Sequence, residues 1–172
     1  MSTFLIILAA GNSKRLGSTL PKPYHEINGR TILEYSLHAF KDFKEIKKTF
    51  IVYNKKHLKL FNKLKIKKVK KIIGGQTRQQ SVFKALKTVS RNSCSKILIH
   101  DAARPNLSKK LIKKILNKLK KKDVVVPVIK QHDAVKRIKK NLIFKNIKRD
   151  SLRFSQTPQG FTFSKIYQKH KK

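Results

Sequence analysis

The chain has 172 residues, a length that suits one domain with a sizeable buried core. Its single cysteine, Cys94, excludes a disulfide within the chain and favours a reducing, cytoplasmic setting. The sequence has no apolar run of about 18 residues and no basic segment before its short N-terminal apolar run. It therefore predicts neither a membrane span nor a signal peptide.

The formal net charge is +36, from 44 Lys and Arg residues against 8 Asp and Glu residues. A balance this basic is typical of nucleic-acid binders. Only eight of the cations are arginine, however, and the lysines are spread along nearly the whole chain, as expected of solvated faces filled with lysine. Composition leaves both interpretations open. Under either one, the positive field attracts anionic small molecules, most strongly at low salt.

Apolar runs alternate along the chain with segments of helical periodicity. Five runs are predicted to be strands: 4–8, 49–53, 69–74, 96–100 and 123–128. Four segments are predicted to be helices: 31–40, 55–64, 78–89 and 108–121. Thr31 and Ser108 are the candidate N-caps. From about residue 129 the helical period is lost, and a segment of about 130–153 is predicted to be an arm or hairpin outside the main sheet. A further helix begins near Phe163.

The predicted strands are continuous apolar runs that alternate with helices. The sequence therefore predicts an α/β fold over residues 1–172, with a largely parallel sheet covered on both faces. Ligands of such sheets bind beyond the carboxyl ends of the strands. Candidate site residues follow three of the predicted strands, at 9–11, 74–75 and 100–104. We therefore expect a binding site at this edge of the sheet.

The loop after the first predicted strand combines small residues with cations. Gly11 and the two alanines before it allow a ligand to approach backbone N–H groups, which can hold phosphate oxygens or a base edge. Arg15 and Lys22 add positive charge. Neither the G-x-x-x-x-G-K-[ST] phosphate loop nor the G-x-G-x-x-G dinucleotide motif is present. The spacing alone leaves open a nucleotide site or an ordinary strand-to-helix turn with surface cations.

Asp101 follows a buried strand in a chain with only eight acids. A carboxylate in that position suits a divalent cation that is shared with phosphates. The simpler alternative is that Asp101 caps a turn or pairs with Arg104. The residue by itself does not decide between the two.

Several motifs occur together: L-A-A-G-x(3)-R-x(6)-K (8–22), P-K-P-Y (21–24), T-I-L-E-Y-S (31–36), G-G-x(2)-R-x(2)-S-V (74–82), H-D-A-A-R-P (100–105) and T-P-Q-G-F (157–161). In order and spacing they resemble the 2-C-methyl-D-erythritol 4-phosphate cytidylyltransferases of the methylerythritol phosphate route to isoprenoid precursors. The resemblance covers nearly the whole chain. The opening loop alone is shared with many sugar and polyol nucleotidyltransferases.

The resemblance implies a Rossmann-like nucleotidyltransferase fold with a protruding β-arm. It also implies a reaction in which a phosphate oxygen of methylerythritol phosphate attacks the α-phosphorus of CTP and pyrophosphate leaves. By the family motifs, Arg15 and Lys22 are the catalytic cations, Asp101 binds Mg²⁺ with the phosphates, and Arg149 positions the methylerythritol phosphate. The nucleotide contacts fall on Ala9, Ala10, Gly11, Gly75 and Ser81. The family further implies a homodimer formed through the arm.

The chain departs from the family pattern in three places. Gln76 stands where the family often has Asp, and Ala134 stands where the arm commonly has Thr. The sequence also ends before a late family segment that carries a substrate-binding Lys and an acid. We therefore expect the C-terminal portion of the family domain to be missing, and these 172 residues alone to have little activity and marginal stability. No D-x-H metal motif of a fused cyclase domain is present.

Two alternatives remain at this stage. The first is a cytidylyltransferase for another polyol phosphate, such as ribitol 5-phosphate, because such enzymes share the opening loop and the H-D-A-x-R element. The second is a basic nucleic-acid binder without catalysis. Aromatic residues make up only 8% of the chain and are not interleaved with basic ones, which argues against a base-stacking surface.

Overall fold

The computed structural model describes residues 2–11, 20–64 and 66–171. The strands are β1 (Thr3–Ala9), β2 (Glu26–Ile27), β3 (Arg30–Thr31), β4 (Ile46–Tyr53), β5 (Lys70–Ile73), β6 (Lys96–Asp101), β7 (Val124–Val125), β8 (Val128–Lys130), β9 (Val135–Lys139), β10 (Leu142–Ile147), β11 (Arg153–Ser155) and β12 (Gln159–Thr162). The helices are α1 (Ile32–His38), α2 (Leu58–Lys63), α3 (Arg78–Val89), α4 (Lys109–Leu119) and α5 (Phe163–Lys171). Strands and helices alternate over most of the chain, which confirms the predicted α/β class.

The central sheet, as far as the described residues show it, has six strands in the order β5-β4-β1-β6-β12-β7. β1 pairs in parallel with both β4 and β6, and β4 pairs in parallel with β5. β12 is antiparallel to its two neighbours. The sheet is therefore mostly parallel, as predicted, and the carboxyl ends of β1, β5 and β6 lie along one edge.

Helices cover both faces of the sheet because successive residues of a strand point to opposite sides. On one face, Leu5 of β1 lies in a buried cluster with Ile112 of α4. On the other face, Ile6 lies in a second cluster with Leu86 of α3, and Ile166 of α5 packs against it. With apolar contacts on both sides, the central strands have no solvated face. This explains why their sequences are continuous apolar runs.

The predicted N-caps are both confirmed. The hydroxyl of Thr31 accepts a hydrogen bond from the backbone N–H of Glu34 at 3.3 Å, and the Glu34 carboxylate accepts one from the Thr31 N–H at 2.9 Å. This reciprocal capping box fixes the start of α1. At α4, the hydroxyl of Ser108 accepts a hydrogen bond from the Leu111 N–H at 3.2 Å. None of the helices in the described ranges has the length and apolar character that a membrane crossing requires.

Some predicted boundaries are wrong. The helix expected over 55–64 is a 3-10 turn at Lys55–His57 followed by α2. The strand expected over 123–128 is divided: β7 ends at Val125, and Val128 begins β8 in a separate two-stranded sheet. Pro127 lies at the break, and it has no N–H to donate to a strand ladder. β12 was not predicted, because Q-G-F-T has no clear strand pattern of its own.

The arm predicted outside the main sheet is confirmed. β9 and β10 form an antiparallel hairpin, and β8 pairs with β11 at its base. The two-residue turn between β9 and β10 is made by Lys140 and Asn141, both with positive φ (47° and 62°), which matches the twist of a tight hairpin. The hairpin exposes four large apolar side chains: Ile138, Leu142, Ile143 and Phe144.

Candidate active site

A pocket of about 650 Å³ opens at the carboxyl edge of the sheet, where the sequence predicted a site. Its lining comes from the ends of β1 and β6, the loop before α3 and the turn around Lys22. The lining residues are Leu8, Ala10, Gly11, Lys22, Pro23, Gly75, Gln76, Thr77, Arg78, Ser81, Asp101, Ala103 and Arg104. The pocket therefore combines small residues, backbone groups, three cationic side chains and one carboxylate.

The loop between β5 and α3 forms one wall of the pocket and is held by the first turns of α3. The hydroxyl of Ser81 accepts a hydrogen bond from the Gly75 N–H at 3.0 Å. The side-chain oxygen of Gln80 accepts one from the Gln76 N–H at 2.8 Å. A Cβ atom at Gly74 would lie 2.6 Å from the Cβ of Ala10, which is closer than two carbon atoms can approach. Glycine at this position therefore allows the loop to pack directly against the end of β1.

Asp101, the last residue of β6, forms ion pairs with two arginines. The Nη2 atom of Arg78 lies 3.1 Å from Oδ1 of Asp101, and the Nε atom of Arg104 lies 3.6 Å from Oδ2. The alternative that Asp101 pairs with Arg104 is thus observed, and Arg78 is an additional partner. Two cations around a single carboxylate leave this side of the pocket with a net positive charge, which suits an anionic ligand.

The imidazole ring of His100 is completely buried beside the pocket. Its Nδ1 atom lies 3.0 Å from the hydroxyl of Thr157, and its Nε2 atom lies 3.2 Å from the carbonyl oxygen of Arg104. Burial lowers the pKa of His100 to about 4, although the charge of Asp101 and the hydrogen bond to the Arg104 carbonyl act in the opposite direction. The ring is therefore neutral at pH 7 and serves as a hydrogen-bonded link between β6 and the segment before β12.

Lys22 is placed by a rigid turn. It begins a 3-10 turn, Lys22–Tyr24, in which Pro23 and Tyr24 are buried while the Lys22 side chain is exposed at the pocket. Pro21 immediately precedes the turn, and the two prolines fix two backbone φ angles close to Lys22. The second predicted catalytic cation, Arg15, lies outside the described residues.

The structure brings most of the predicted site residues together. Six of them line the pocket: Ala10, Gly11, Lys22, Gly75, Ser81 and Asp101. Ala9 and Arg149 do not line it in this chain. Ala9 is buried in β1 and belongs to the hydrophobic core. The guanidinium of Arg149 lies at the base of the arm and donates a hydrogen bond to the carbonyl oxygen of His132 at 3.0 Å.

The sequence analysis assigned no role to Arg78 or Thr157. Both lie inside motifs of the chain, G-G-x(2)-R-x(2)-S-V and T-P-Q-G-F, so the motifs were the only available signal. Their partners are distant in sequence: Arg78 contacts Asp101, 23 residues away, and Thr157 contacts His100, 57 residues away.

The fold and the pocket are those of a nucleotidyltransferase. The crystal structure of Francisella tularensis 2-C-methyl-D-erythritol 4-phosphate cytidylyltransferase superposes on this chain with a TM-score of 0.83 and 28% sequence identity, over 99% of this chain and 77% of that one. Residues 3–172 match the family profile described as IspD, 2-C-methyl-D-erythritol 4-phosphate cytidylyltransferase. The chain belongs to this family, and the resemblance seen in its motifs is confirmed.

Curated relatives agree with this assignment. The "Bifunctional enzyme IspD/IspF" of Pelagibacter ubique is 43% identical over 98% of this chain, which spans 45% of that enzyme's length. The 2-C-methyl-D-erythritol 4-phosphate cytidylyltransferase of Thermotoga neapolitana is 36% identical over 96% of this chain, which spans 75% of that enzyme.

Proposed function

We propose that the chain transfers a cytidylyl group from CTP to 2-C-methyl-D-erythritol 4-phosphate, a step in the formation of isoprenoid precursors. The observation that carries the proposal is the pocket itself: a glycine-rich wall, three cations and one carboxylate lie together in a chain of this family. In the reaction, a phosphate oxygen of methylerythritol phosphate forms a bond to the α-phosphorus of CTP. The bond from that phosphorus to the pyrophosphate oxygen breaks, and pyrophosphate leaves.

The cations of the pocket have a direct role in such a reaction. Negative charge builds up on the oxygens around the α-phosphorus as the new bond forms, and a fixed positive charge lowers the barrier. Lys22 is held by its proline-bracketed turn and therefore supplies that charge with little reorganisation. Arg15, seven residues earlier in the sequence, is proposed as its partner. Arg78 and Arg104, which line the same pocket, are proposed to bind phosphate oxygens.

The nucleotide is proposed to bind against the wall formed by Ala10, Gly11, Gly75 and Ser81. The Ser81 hydroxyl accepts from Gly75, so its own proton remains to be donated, either to the base or to the ribose. Gly74 packs closely against Ala10, so this wall lies directly against the end of β1. We propose that its backbone groups match the small edge of cytosine and leave no room for a purine. The wall would therefore select CTP over ATP.

The carboxylate of Asp101 fits a Mg²⁺ ion that arrives with the nucleotide. No cluster of three or more His, Cys, Asp or Glu side chains that could hold a metal ion occurs in the described part of the chain. Mg²⁺ is commonly held by one or two carboxylates together with substrate phosphates, so one well-placed carboxylate is sufficient. When bound, the ion would neutralise phosphate charge, and Asp101 would have to release at least one of its arginine partners.

We also propose that the chain forms a homodimer through its arm. Two observations support this: the exposed apolar side chains of the β9–β10 hairpin, and the position of Arg149 at the base of the arm rather than in its own chain's pocket. A second copy would cover the hairpin, and crossing arms would carry Arg149 to the methylerythritol phosphate. The cytoplasm is the proposed location, because the lone thiol of Cys94 suits a reducing compartment.

Pyrophosphate release tests the proposed function. The chain is incubated with Mg²⁺ and CTP together with methylerythritol phosphate, with ribitol 5-phosphate, or with no acceptor, and the series is repeated with ATP. We expect release only with CTP and methylerythritol phosphate, and we expect it to be slow for these 172 residues alone. Release with ribitol 5-phosphate instead would assign the chain to the alternative acceptor. Absence of release, together with equal calorimetric affinities for CTP and ATP, would contradict the proposal.

A further inference from the structure

We infer that His100 and Thr157 are positioning residues that fix the proton arrangement around the loop from Asp101 to Arg104, and through it the orientation of the pocket's carboxylate. This inference deepens the proposed function and rests on it, because Asp101 is assigned there to the Mg²⁺-nucleotide complex. Neither His100 nor Thr157 lines the pocket, so both would act through the loop.

The hydrogen bonds of the two side chains form a continuous chain with fixed ends. The backbone N–H of Asp101 points to the hydroxyl of Thr157 at 3.4 Å. That hydroxyl lies 3.0 Å from Nδ1 of His100. The other ring nitrogen, Nε2, lies 3.2 Å from the carbonyl oxygen of Arg104.

For the neutral ring, only one arrangement of protons satisfies all of these contacts. The carbonyl of Arg104 can only accept, so Nε2 of His100 carries the proton and donates it. Nδ1 is then unprotonated and accepts from the Thr157 hydroxyl. The hydroxyl oxygen in turn accepts from the N–H of Asp101, which can only donate. The direction of every bond is set by the two backbone ends, so the geometry requires the Nε2–H tautomer of His100.

We call the hydrogen bonds that run from the Asp101 N–H through Thr157 and His100 to the Arg104 carbonyl the relay. The relay is shielded from water. His100 has no exposed surface, and Thr157 is 7% exposed. The ring of Phe40 packs against the imidazole edge-on, with 5.3 Å between ring centroids. Without water as a substitute partner, a lost hydroxyl would leave both Nδ1 of His100 and the N–H of Asp101 without their observed partner.

The relay holds both ends of the loop, and other contacts hold its middle. The N–H of Ala102 donates to the carbonyl of Leu8 at 3.0 Å, and the hydroxyl of Ser36 donates to the carbonyl of Ala102 at 2.8 Å. Loss of the relay would therefore free Asp101 and Arg104 to move, while Ala102 between them stays held. The loop as a whole would not unfold. The side chains of Asp101 and Arg104 would lose orientation toward the nucleotide while the pocket remained in place.

The test compares two substitutions at one position. Thr157→Val keeps the shape but removes the hydroxyl, and Thr157→Ser keeps the hydroxyl. A matched control is Thr3→Val, which removes a comparably buried hydroxyl (6% exposed) at the start of β1, outside the pocket. We expect Thr157→Val to lower kcat by about 10-fold or more with a smaller change in KM for methylerythritol phosphate, as misplacement near a reacting centre does. Thr157→Ser is expected to recover most of that loss, and Thr3→Val to leave kcat unchanged.

Two measurements are independent of turnover. ¹⁵N NMR of the unmutated chain reports the tautomer of His100, and we expect Nε2–H. Calorimetric titration of CTP gives its affinity with Mg²⁺ and with EDTA, and we expect Thr157→Val to weaken binding only with Mg²⁺. An Nδ1–H tautomer, or equal kcat and Mg²⁺-dependent affinity in Thr157→Val and the unmutated chain, would overturn the inference. If the unmutated chain shows no pyrophosphate release and binds CTP and ATP equally, the proposed function fails, while the tautomer still decides the relay.

Discussion

Two nitrogen atoms of Arg78, in α3, contact the same carboxylate oxygen of Asp101. Nη2 and Nε of Arg78 lie 3.1 and 3.2 Å from Oδ1 of Asp101. Both side chains are partly exposed, at 52% and 28%, and ion pairs in such surroundings contribute little to folding stability. A ligand can therefore displace this ion pair. Its phosphates would bind Arg78 more strongly than Asp101 does, and its divalent cation would bind Asp101 more strongly than Arg78 does.

Arg78 should affect nucleotide binding more than stability. We expect Arg78→Ala to weaken the affinity for CTP with Mg²⁺ by about 10-fold or more, because a charge-assisted hydrogen bond contributes about 1.5–3 kcal/mol. Arg78→Lys should recover only part of the affinity, since lysine keeps the charge but not the planar fork. Calorimetric titration measures both. Arg91→Ala, an exposed arginine just beyond α3, is the control and should bind normally. Unchanged affinity in Arg78→Ala would exclude a contact with the phosphates.

Lys22 and Arg15 are expected to act mainly in the transition state. Lys22→Ala and Arg15→Ala should each lower kcat by on the order of 100-fold, with a smaller rise in KM for CTP. Steady-state pyrophosphate release separates the two constants. Lys55→Ala removes an exposed lysine after β4 and should behave as the unmutated chain. A rise in KM alone would make the two cations ground-state binders and would contradict the assigned role.

Gly74 is expected to tolerate no side chain. A Cβ atom there would lie 2.6 Å from Cβ of Ala10 and 2.9 Å from Oγ of Ser81, so Gly74→Ala must move the pocket wall. Overpacking of this kind costs about 1–3 kcal/mol, or roughly 2–4 °C in Tm for each kcal/mol in a chain of this size. We expect a lower Tm together with weaker CTP binding. Adding Ala10→Gly should recover part of the loss in Tm. A normal Tm and normal affinity in Gly74→Ala would show that the wall can yield.

Tyr24 provides a test by pH. Its hydroxyl is buried and has no hydrogen-bond partner among the described residues, and burial, with help from Tyr53, raises its pKa to about 12. The unfolded tyrosine has a pKa of about 10, so the unfolded chain loses this proton first. The contribution of Tyr24 to stability is thus fully present below pH 10 and is lost progressively between about pH 10 and 12.

Tyr24→Phe should remove the part of the alkaline loss of folding stability that the ionisation of Tyr24 causes. We expect the substituted chain to be as stable as the unmutated chain at pH 7, or more so, because it removes a buried polar group without a partner. Chemical unfolding at pH 7 and at pH 11 measures the difference. An equal alkaline loss in both chains would mean that Tyr24 ionises as easily in the folded state as in the unfolded state.

The arm is expected to determine the oligomeric state. Ile138 and Ile143 are direct partners across the β9–β10 ladder and therefore lie on the same face. Replacing both with lysine should convert a dimer into a monomer in light scattering, since burying unpaired charges in an apolar contact is unfavourable. Lys139→Ser, on the same hairpin, is the control. A monomeric unmutated chain would contradict the proposed dimer.

Local signals predicted the parts of the fold that depend on local physics. The apolar runs became the central strands because burial on both faces demands them, and Thr31 and Ser108 became caps because their hydroxyls reach nearby backbone N–H groups. β12 could not be predicted in this way. Its four residues become a strand only because Gly160 and Phe161 lie between β6 and β7, and neither neighbour is close in sequence.

The candidate site likewise has parts that the sequence predicted and parts that depend on contacts distant in sequence. Gly75 and Asp101 were proposed because they follow predicted strands whose carboxyl ends share one edge, whereas Ser81 was proposed through the family resemblance. The contacts that orient them, Arg78 to Asp101 and Thr157 to His100, join separate elements and have no local pattern. Arg149 shows the limit of motif reasoning, since it lies outside the pocket of its own chain.

The neighbouring positions of β7 and β12 have a consequence for how this chain can change over evolutionary time. The N–H of Gln156 donates to the carbonyl of Pro127 at 2.8 Å, so the backbone leaves the sheet and returns to it at nearly the same point. Residues 128–155 lie between these two points, so a change in the length of this segment requires no change in the order of the sheet strands. Thr157, which follows the return point, stays with the core. The outward face of residues 128–155 can therefore vary without a change in the strands that hold Asp101.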